Sequence, residues 1–429
     1  MGNKILKKGK SLIYNKAMKY IILFFLLYIA GVFQFLGNKE LLLLCHFSIL
    51  AIGLYAFLKQ FILGKRRSPV TWLIGMYCIL FPLYAAYKSN IIFGQPFFMG
   101  VASLRYCWCI MFGFLLYQIK YDYKLLLKQI NQLNLWIVVI SIIAFFFFDI
   151  NHITIKPYIT SNFLIETTDN IDTIKGAKLN VCGSLLIISY VYYLIKCLNT
   201  PTSLKNWAPF LLLMFYLCFV SKGRQPLAAL AFVFAAYFIQ MKGLSFKRIC
   251  IAILPIIGVI VLSLADNHFF DKFTIILDWE KTRDSSTMAR IISINKVLPY
   301  IQNNPILGFG NLSAHFRTFG FHTFFGGAFY LADIGIFGAL ARGGIALLLF
   351  YWGLYRAIYK KTKEVLDEEY RTFMQYMLLT FIVLLVILCN DPLFAENSIL
   401  IALVFYPLFA IQDPKTFFTE ENETATPRK

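Results

Sequence analysis

Charge is what this chain has least of. Asp, Glu, Lys and Arg make up 15% of its 429 residues, where soluble domains carry about 25%. That deficit excludes an ordinary soluble globular protein. Signatures of bound cofactors are missing too. There is no Walker loop and no Gly-x-Gly-x-x-Gly fingerprint, the patterns that cradle phosphates on backbone amides at a helix start. No His or Cys cluster has zinc spacing, and the predicted outward loops hold no Asp-x-Asp pair. The expectation is no cofactor and no metal.

A disulfide framework is absent as well. The nine cysteines lie within or at the edges of apolar segments, and none falls in the one long polar loop. Cys107-Trp108-Cys109 is not a metal motif, because residues two apart on a helix point to different faces. These thiols are expected to pack as small hydrophobes.

What the chain does have is apolar length. Hydrophobic residues make up 59% and aromatic residues 17%, and the mean hydropathy is +0.67. A membrane-crossing helix needs about 20 apolar residues. Segments of that kind occur at 18–36, 41–63, 69–88, 98–118, 133–149, 179–199, 207–221, 225–241, 248–266, 330–355, 372–390 and 396–412. The predicted fold is therefore an all-α polytopic membrane protein with about 12 transmembrane helices. The basic stretch Lys4–Lys19 before the first segment lacks a small-x-small cleavage site, so that segment is expected to remain as an uncleaved span.

The formal net charge of +19 does not point to nucleic acid. Lys65, Arg66, Arg67, Lys120, Lys124, Lys128, Lys242, Lys247, Arg356, Lys360 and Lys361 all fall on one side of the alternating spans. By the positive-inside rule that side is cytoplasmic, as are both termini. The organisation read from this is spans 1–9 over 1–265, a large extracytoplasmic loop with short helices over 266–329, spans 10–12 over 330–412, and a polar cytoplasmic tail over 413–429. No repeat relates the two halves, which argues against many transporter architectures.

Several residues stand out against this background. Arg105 lies inside the fourth span, where an arginine is costly unless paired or hydrated; snorkelling to the interface is the plainer account. Spans seven and eight are joined by Ser221-Lys222-Gly223-Arg224-Gln225-Pro226. A flexible glycine beside a planar guanidinium suits close approach to a phosphate, while an interfacial anchor pair is the alternative. In the large loop, Thr287–Leu298 has helical spacing. Arg290 falls within roughly 40 degrees of Ile294, Val297 and Ile301 on a helical wheel, so it lies on the apolar stripe. A charge there needs a partner, either a carboxylate such as Asp278 or Asp284 or an anionic ligand. Pro299 is a candidate kink. His315 and His322 are candidates for proton transfer. Asp333 and Arg342, at the start of the tenth span, are either an ion pair or further site residues. His46 reads as a packed core histidine.

Three of these elements, in order, resemble the O-antigen polymerase and ligase superfamily. Ser221-Lys222-Gly223-Arg224 is similar to that family's Ser/Thr-x-Gly/Ser-Arg turn. Arg290 followed by Asn304-Pro305-Ile306-Leu307-Gly308-Phe309-Gly310 resembles its Arg … Pro-Leu-Leu-Gly-x-Gly element, and His322-Thr323 with Gly335-x-x-Gly338 its His-Asn/Ser … Gly-x-x-Gly element. The resemblance covers roughly residues 200 to 350. Thr323 in place of Asn or Ser, the longer spacing to Gly335, and Ile294 where ligases have Leu favour a Wzy-like polysaccharide polymerase over a ligase.

What the resemblance implies is a GT-C-like, metal-independent, inverting glycosyltransferase of the bacterial inner membrane. It would join undecaprenyl-diphosphate-linked oligosaccharide units, one as donor and one as acceptor, at the outer face, with a chain-length regulator protein as a possible partner and no nucleic acid. Arg224, Arg290, Arg105 and Lys222 would hold diphosphate and His322 would be the base, with His315, Arg342 and Asp333 as further candidates. The alternatives are a ligase that transfers glycan to lipid A-core, a lipid-linked-sugar flippase or transporter, and a non-catalytic assembly scaffold.

Overall fold

A computed structural model describes residues 18–33, 39–63, 68–147, 185–221, 223–240, 285–313, 316, 331–394 and 397–409. Among them the chain is all-helical. In order, the helices are α1 (Met18–Ile29), α2 (Lys39–Leu63), α3 (Pro69–Phe93), α4 (Phe97–Ser103), α5 (Phe112–Gln118), α6 (Tyr123–Phe147), α7 (Leu185–Asn199), α8 (Leu204–Phe215), α9 (Arg224–Gln240), α10 (Ser285–Asn303), α11 (Gly335–Thr362), α12 (Glu368–Val386) and α13 (Ser398–Phe405). The predicted span 248–266, the loop 151–178, Asp278, Asp284, Lys222, His315, His322 and the tail 413–429 lie outside the described residues.

Five helices are long and apolar enough to cross a bilayer, and a sixth span is formed if the bent pair Phe97–Ser103 and Arg105–Gln118 counts as one. Five shorter apolar helices fall in other predicted spans. The expected 12 full-length spans are therefore not reached among the described residues. Two of the predicted spans are interrupted: 98–118 bends by 46° after Ser103, and 207–221 ends in a π-helical turn.

The long helices carry apolar side chains all round, which suits lipid on one side and protein on the other. Leu44, Tyr55, Ile62, Trp136 and Leu349 are exposed, while Tyr77 stacks between Phe81 and Phe350 in the interior. Helix α3 shows why such a segment starts and stops where it does. Ser68 Oγ accepts the Thr71 amide at 3.1 Å, Pro69 occupies the first turn, and Gly94 ends the helix in the left-handed conformation (φ 73°). Helix α13 is buried along its whole length and runs beside α5 and the tight turn Arg105–Met111.

Helix α11 is interrupted at Gly344 (φ 64°, ψ −160°), and the segment after α10 fills the gap. Ile345 donates its amide to Pro305 O at 2.9 Å and Ala346 donates to Ile306 O at 2.9 Å. Phe309 in turn donates to Ala341 O at 2.8 Å. Backbone groups freed by the break thus find partners, as they must inside a membrane. Gly308 (φ +64°) makes the fit possible: a Cβ there would lie 2.6 Å from Ala341 O and 2.7 Å from the Gly343 and Gly344 amides. The Pro305–Gly310 turn is therefore an architectural plug. Pro299 does not end α10, which continues to Asn303.

Candidate functional site

The site is built around the non-helical stretch 387–394 that follows α12. Cys389 takes a left-handed conformation (φ 52°) and Pro392 follows, so the helix cannot continue. Asp391 fixes the stretch in place. It is buried, and so is Arg342, which is 0% exposed. Arg342 Nη2 forms a short ion pair with Asp391 Oδ2, which also accepts the Tyr351 hydroxyl at 3.1 Å. Asp391 Oδ1 accepts the Leu393 amide at 2.9 Å. The guanidinium lies 3.8 Å over the Phe394 ring, and Tyr77 donates its hydroxyl to Leu393 O at 2.6 Å. The two charges offset each other, as a buried pair requires, although Arg342 Nε is left without a hydrogen-bond partner. Arg342 is thus paired with Asp391 and not with Asp333.

Two predicted arginine elements meet this stretch. Gln225 donates its side-chain amide to Leu388 O at 2.6 Å, seating the start of α9, whose first residue is Arg224. Just before it, α8 ends in a π-helical turn, Tyr216–Val220, a feature frequent at functional sites. From the other direction, α10 presents Arg290 on the face that buries Ser293, Val297 and Ile301. Arg290 is half-buried, its charge acts on the Cys389 thiol and the Asp333 carboxyl, and its Nε is buried with no hydrogen-bond partner. No carboxylate among the described residues forms an ion pair with it. A buried guanidinium nitrogen left unpaired costs about 1–3 kcal/mol or more, a cost that an anionic ligand would remove.

Burial raises the Cys389 thiol pKa, and Arg290 works against that rise. Asp333 follows the same logic. The residue is exposed as a whole, but enough protein crowds its carboxyl to raise its pKa above the ordinary carboxylate range, with Arg290 opposing. Gly335 closes the cluster, since a Cβ there would lie 2.7 Å from Cys389 Cα. Helix α10, the turn before α11 and the 387–391 stretch therefore bring Arg290, Asp333 and Cys389 together, and α9 is seated on the same stretch through Gln225.

Arg105 belongs to a different part of the fold. It begins the turn after α4, where the span bends by 46°. Its Nη1 donates to Ala102 O at 3.0 Å and its Nη2 to the Tyr106 hydroxyl at 3.0 Å. Sequence reasoning missed Asp391, Gln225 and Cys389. The only signal for the first is Asn390-Asp391-Pro392 in an otherwise apolar region. Among the described residues no three His, Cys, Asp or Glu side chains gather as a metal site would need.

No curated protein matches this chain. A family model does, and its matched stretch runs from α8 through α11. It contains the π-helical turn, Arg224, Arg290, Asp333 and Arg342, and supports an enzyme of surface-polysaccharide metabolism set in a membrane. Residues 209–351 match the family described as O-Antigen ligase, consistent with the O-antigen polymerase and ligase superfamily whose motifs the sequence carries.

Proposed function

We propose that this protein is a polymerase of O-antigen or a related surface polysaccharide, working at the outer face of the bacterial inner membrane. A hydroxyl of one undecaprenyl-diphosphate-linked oligosaccharide attacks the anomeric carbon of another. The new glycosidic bond forms as the bond from that carbon to the donor diphosphate breaks, with inversion. The lipid diphosphate leaves with the bonding electron pair, and the hydroxyl proton passes to a base. A diphosphate is a good leaving group that needs positive charge more than a proton. Arg224, Arg290 and Lys222 would supply that charge without a metal. His322 is the proposed base, and Asp333, beside Arg290, is the second candidate.

The observation that carries this reading is Arg290. It is a half-buried cation whose Nε has no partner, in a fold that seats the Arg224 helix against the same short stretch. An anion between them would complete both. The description of the matched family favours a second reading, a ligase whose acceptor is lipid A-core and not another lipid-linked unit.

Gene deletion separates the two. For a polymerase, the deletion strain carries single repeat units on its surface. For a ligase, full-length polymer accumulates on undecaprenyl diphosphate and never reaches lipid A-core. Full-length surface glycan in the deletion strain would remove both readings. Complementation with Arg224→Ala or Arg290→Ala should lower the rate on the order of 100-fold, the loss expected when one charge-stabilising group is removed. Arg→Lys should leave intermediate activity, because the charge stays and the two-pronged contact goes. Normal polymer from well-expressed Ala variants at both positions would rule out this anion site.

A further inference from the structure

The polymerase reaction engages two lipid diphosphates at once, and only the donor's is lost. The acceptor's diphosphate stays at the far end of its oligosaccharide from the attacking hydroxyl. It must therefore sit about one repeat unit away from the Arg224–Arg290 neighbourhood, and a second cationic place in the fold is needed for it.

Arg105 offers that place. It stands at a break in a membrane helix, and no carboxylate among the described residues forms an ion pair with it. Its guanidinium is held in one orientation by Ala102 O and by the Tyr106 hydroxyl, each at 3.0 Å. It also lies 4.4 Å from the Tyr106 ring centroid. Two of the five guanidinium N–H donors are used by these contacts, so the fork is positioned but not consumed. Next to Tyr106 is also His46, 6% exposed, with its ring centroid 4.7 Å from that of Tyr106 and its Nε2 buried without a partner. Nothing in the reaction as drawn so far uses these three residues.

The cluster is tied to the donor neighbourhood and distinct from it. Ser398, at the start of α13, donates its hydroxyl to Tyr106 O at 2.8 Å, so Arg105 flanks one end of the 387–398 stretch. Gln225 holds the other end through Leu388. A second link runs through Asn311. Asn311, beyond α10, donates to Ser103 Oγ at 3.1 Å, and Gln95 donates to Asn311 O at 3.1 Å. The segment that follows the helix carrying Arg290 is thereby joined directly to the break carrying Arg105.

We infer that Arg105, with Tyr106 and His46 beside it, binds the diphosphate of the acceptor lipid-linked unit, apart from the donor diphosphate at Arg224 and Arg290. This rests on the polymerase reading. The shared chemistry is a lipid-borne phosphate, and an ordinary anionic phospholipid is the other source.

The test uses the full-length protein in vesicles of zwitterionic lipid, titrated separately with single lipid-linked units as acceptor and with lipid-linked polymer as donor. Arg105→Ala should raise the acceptor KM roughly tenfold, as expected for one lost charged hydrogen-bond pair, with kcat and the donor KM little changed. Arg105→Lys should recover part of the loss. Tyr106→Phe keeps the ring and the charge but frees the fork, and should give a smaller rise in the same constant; it guards against an Ala variant that fails to fold. A rise in the donor KM would assign Arg105 to the first site and overturn the inference. So would unchanged KM values for both substrates. A defect seen only when the vesicles contain phosphatidylglycerol would assign the residue to a phospholipid headgroup. Wild-type protein that makes no polymer at all would instead overturn the polymerase reading, and this inference with it.

Discussion

Replacing Asp391 by Asn changes one buried oxygen and tests what holds the 387–394 stretch. Arg342 is 0% exposed and Asp391 1% exposed, so solvent does not screen their interaction. The Asn variant keeps one acceptor oxygen, enough for the Leu393 amide or the Tyr351 hydroxyl but not both, since its NH2 only donates. Arg342 keeps its place over Phe394. What goes is the compensating charge, which leaves a guanidinium buried with only rings and the Leu331 carbonyl at 3.4 Å around it. Breaking a buried pair in this way costs about 3–5 kcal/mol, a large part of the stability of most proteins.

Asp391→Asn and Arg342→Met should therefore each lower the apparent melting temperature of detergent-purified protein, followed by tryptophan fluorescence. The double variant should be less destabilised than the sum of the two, by about 0.5–3 kcal/mol of coupling. Activity separates anchoring from mere folding. The pair holds Leu388 and Cys389 against Gln225 and Arg290, so the double variant should recover abundance without recovering its rate. Wild-type stability and activity in Asp391→Asn would refute the argument. Additive single-variant losses would show that the two residues act independently.

Other consequences can be checked separately. Gly308→Ala should cost about 1–2 kcal/mol from its left-handed backbone alone, and more because its Cβ would meet Ala341 O at 2.6 Å; Gly353→Ala, with nothing within 4 Å, should be neutral or slightly stabilising, and protein abundance reads both. The folded-state pKa of Asp333 lies above its unfolded value, so its contribution to stability is present below the unfolded value and lost as pH rises through the folded one. Arg290→Ala removes the opposing charge and should raise that carboxyl further, which a carboxyl-selective NMR titration would show; an unchanged midpoint would mean the two do not interact. Reporter fusions should place 151–178 and 266–327 outside and 356–371 inside, and an external 356–371 would overturn the orientation on which the outer-face chemistry depends.

The membrane class and most of the apolar helices were legible in the sequence, because a composition poor in charge and windows of about 20 apolar residues are direct readouts of bilayer physics. The inward placement of Arg290 followed from spacing alone, since Val297 and Ile301 share its face and are buried. The breaks were not legible. A window averages hydropathy over a turn such as Leu104–Arg105, and it gives Gly343-Gly344 no more weight than the residues around them. Asp391 was hidden for a related reason. It falls between two predicted spans, where a charge looks like an ordinary loop residue, and only the fold shows that this loop is buried against Arg342.

The breaks also account for where the cations are. In an apolar bundle an uninterrupted helix satisfies its own backbone and leaves no polar surface for a ligand. An interruption frees amides and carbonyls and makes room for polar side chains, as in the broken helices of transporters. Arg105 follows the bend after α4, Arg224 follows the π-helical turn of α8, Arg290 acts on the left-handed Cys389, and Arg342 precedes the break at Gly344. Of Arg105, Arg290 and Arg342 only Arg342 is closed by a carboxylate among the described residues, and of these three it is the one buried furthest from solvent. An arginine meant to hold the fold is paired inside it, and one meant for an anion is left with donors to spare at a break the ligand can reach. By that division Arg342 anchors the stretch, and Arg105 and Arg290 are the arginines we propose for the substrate.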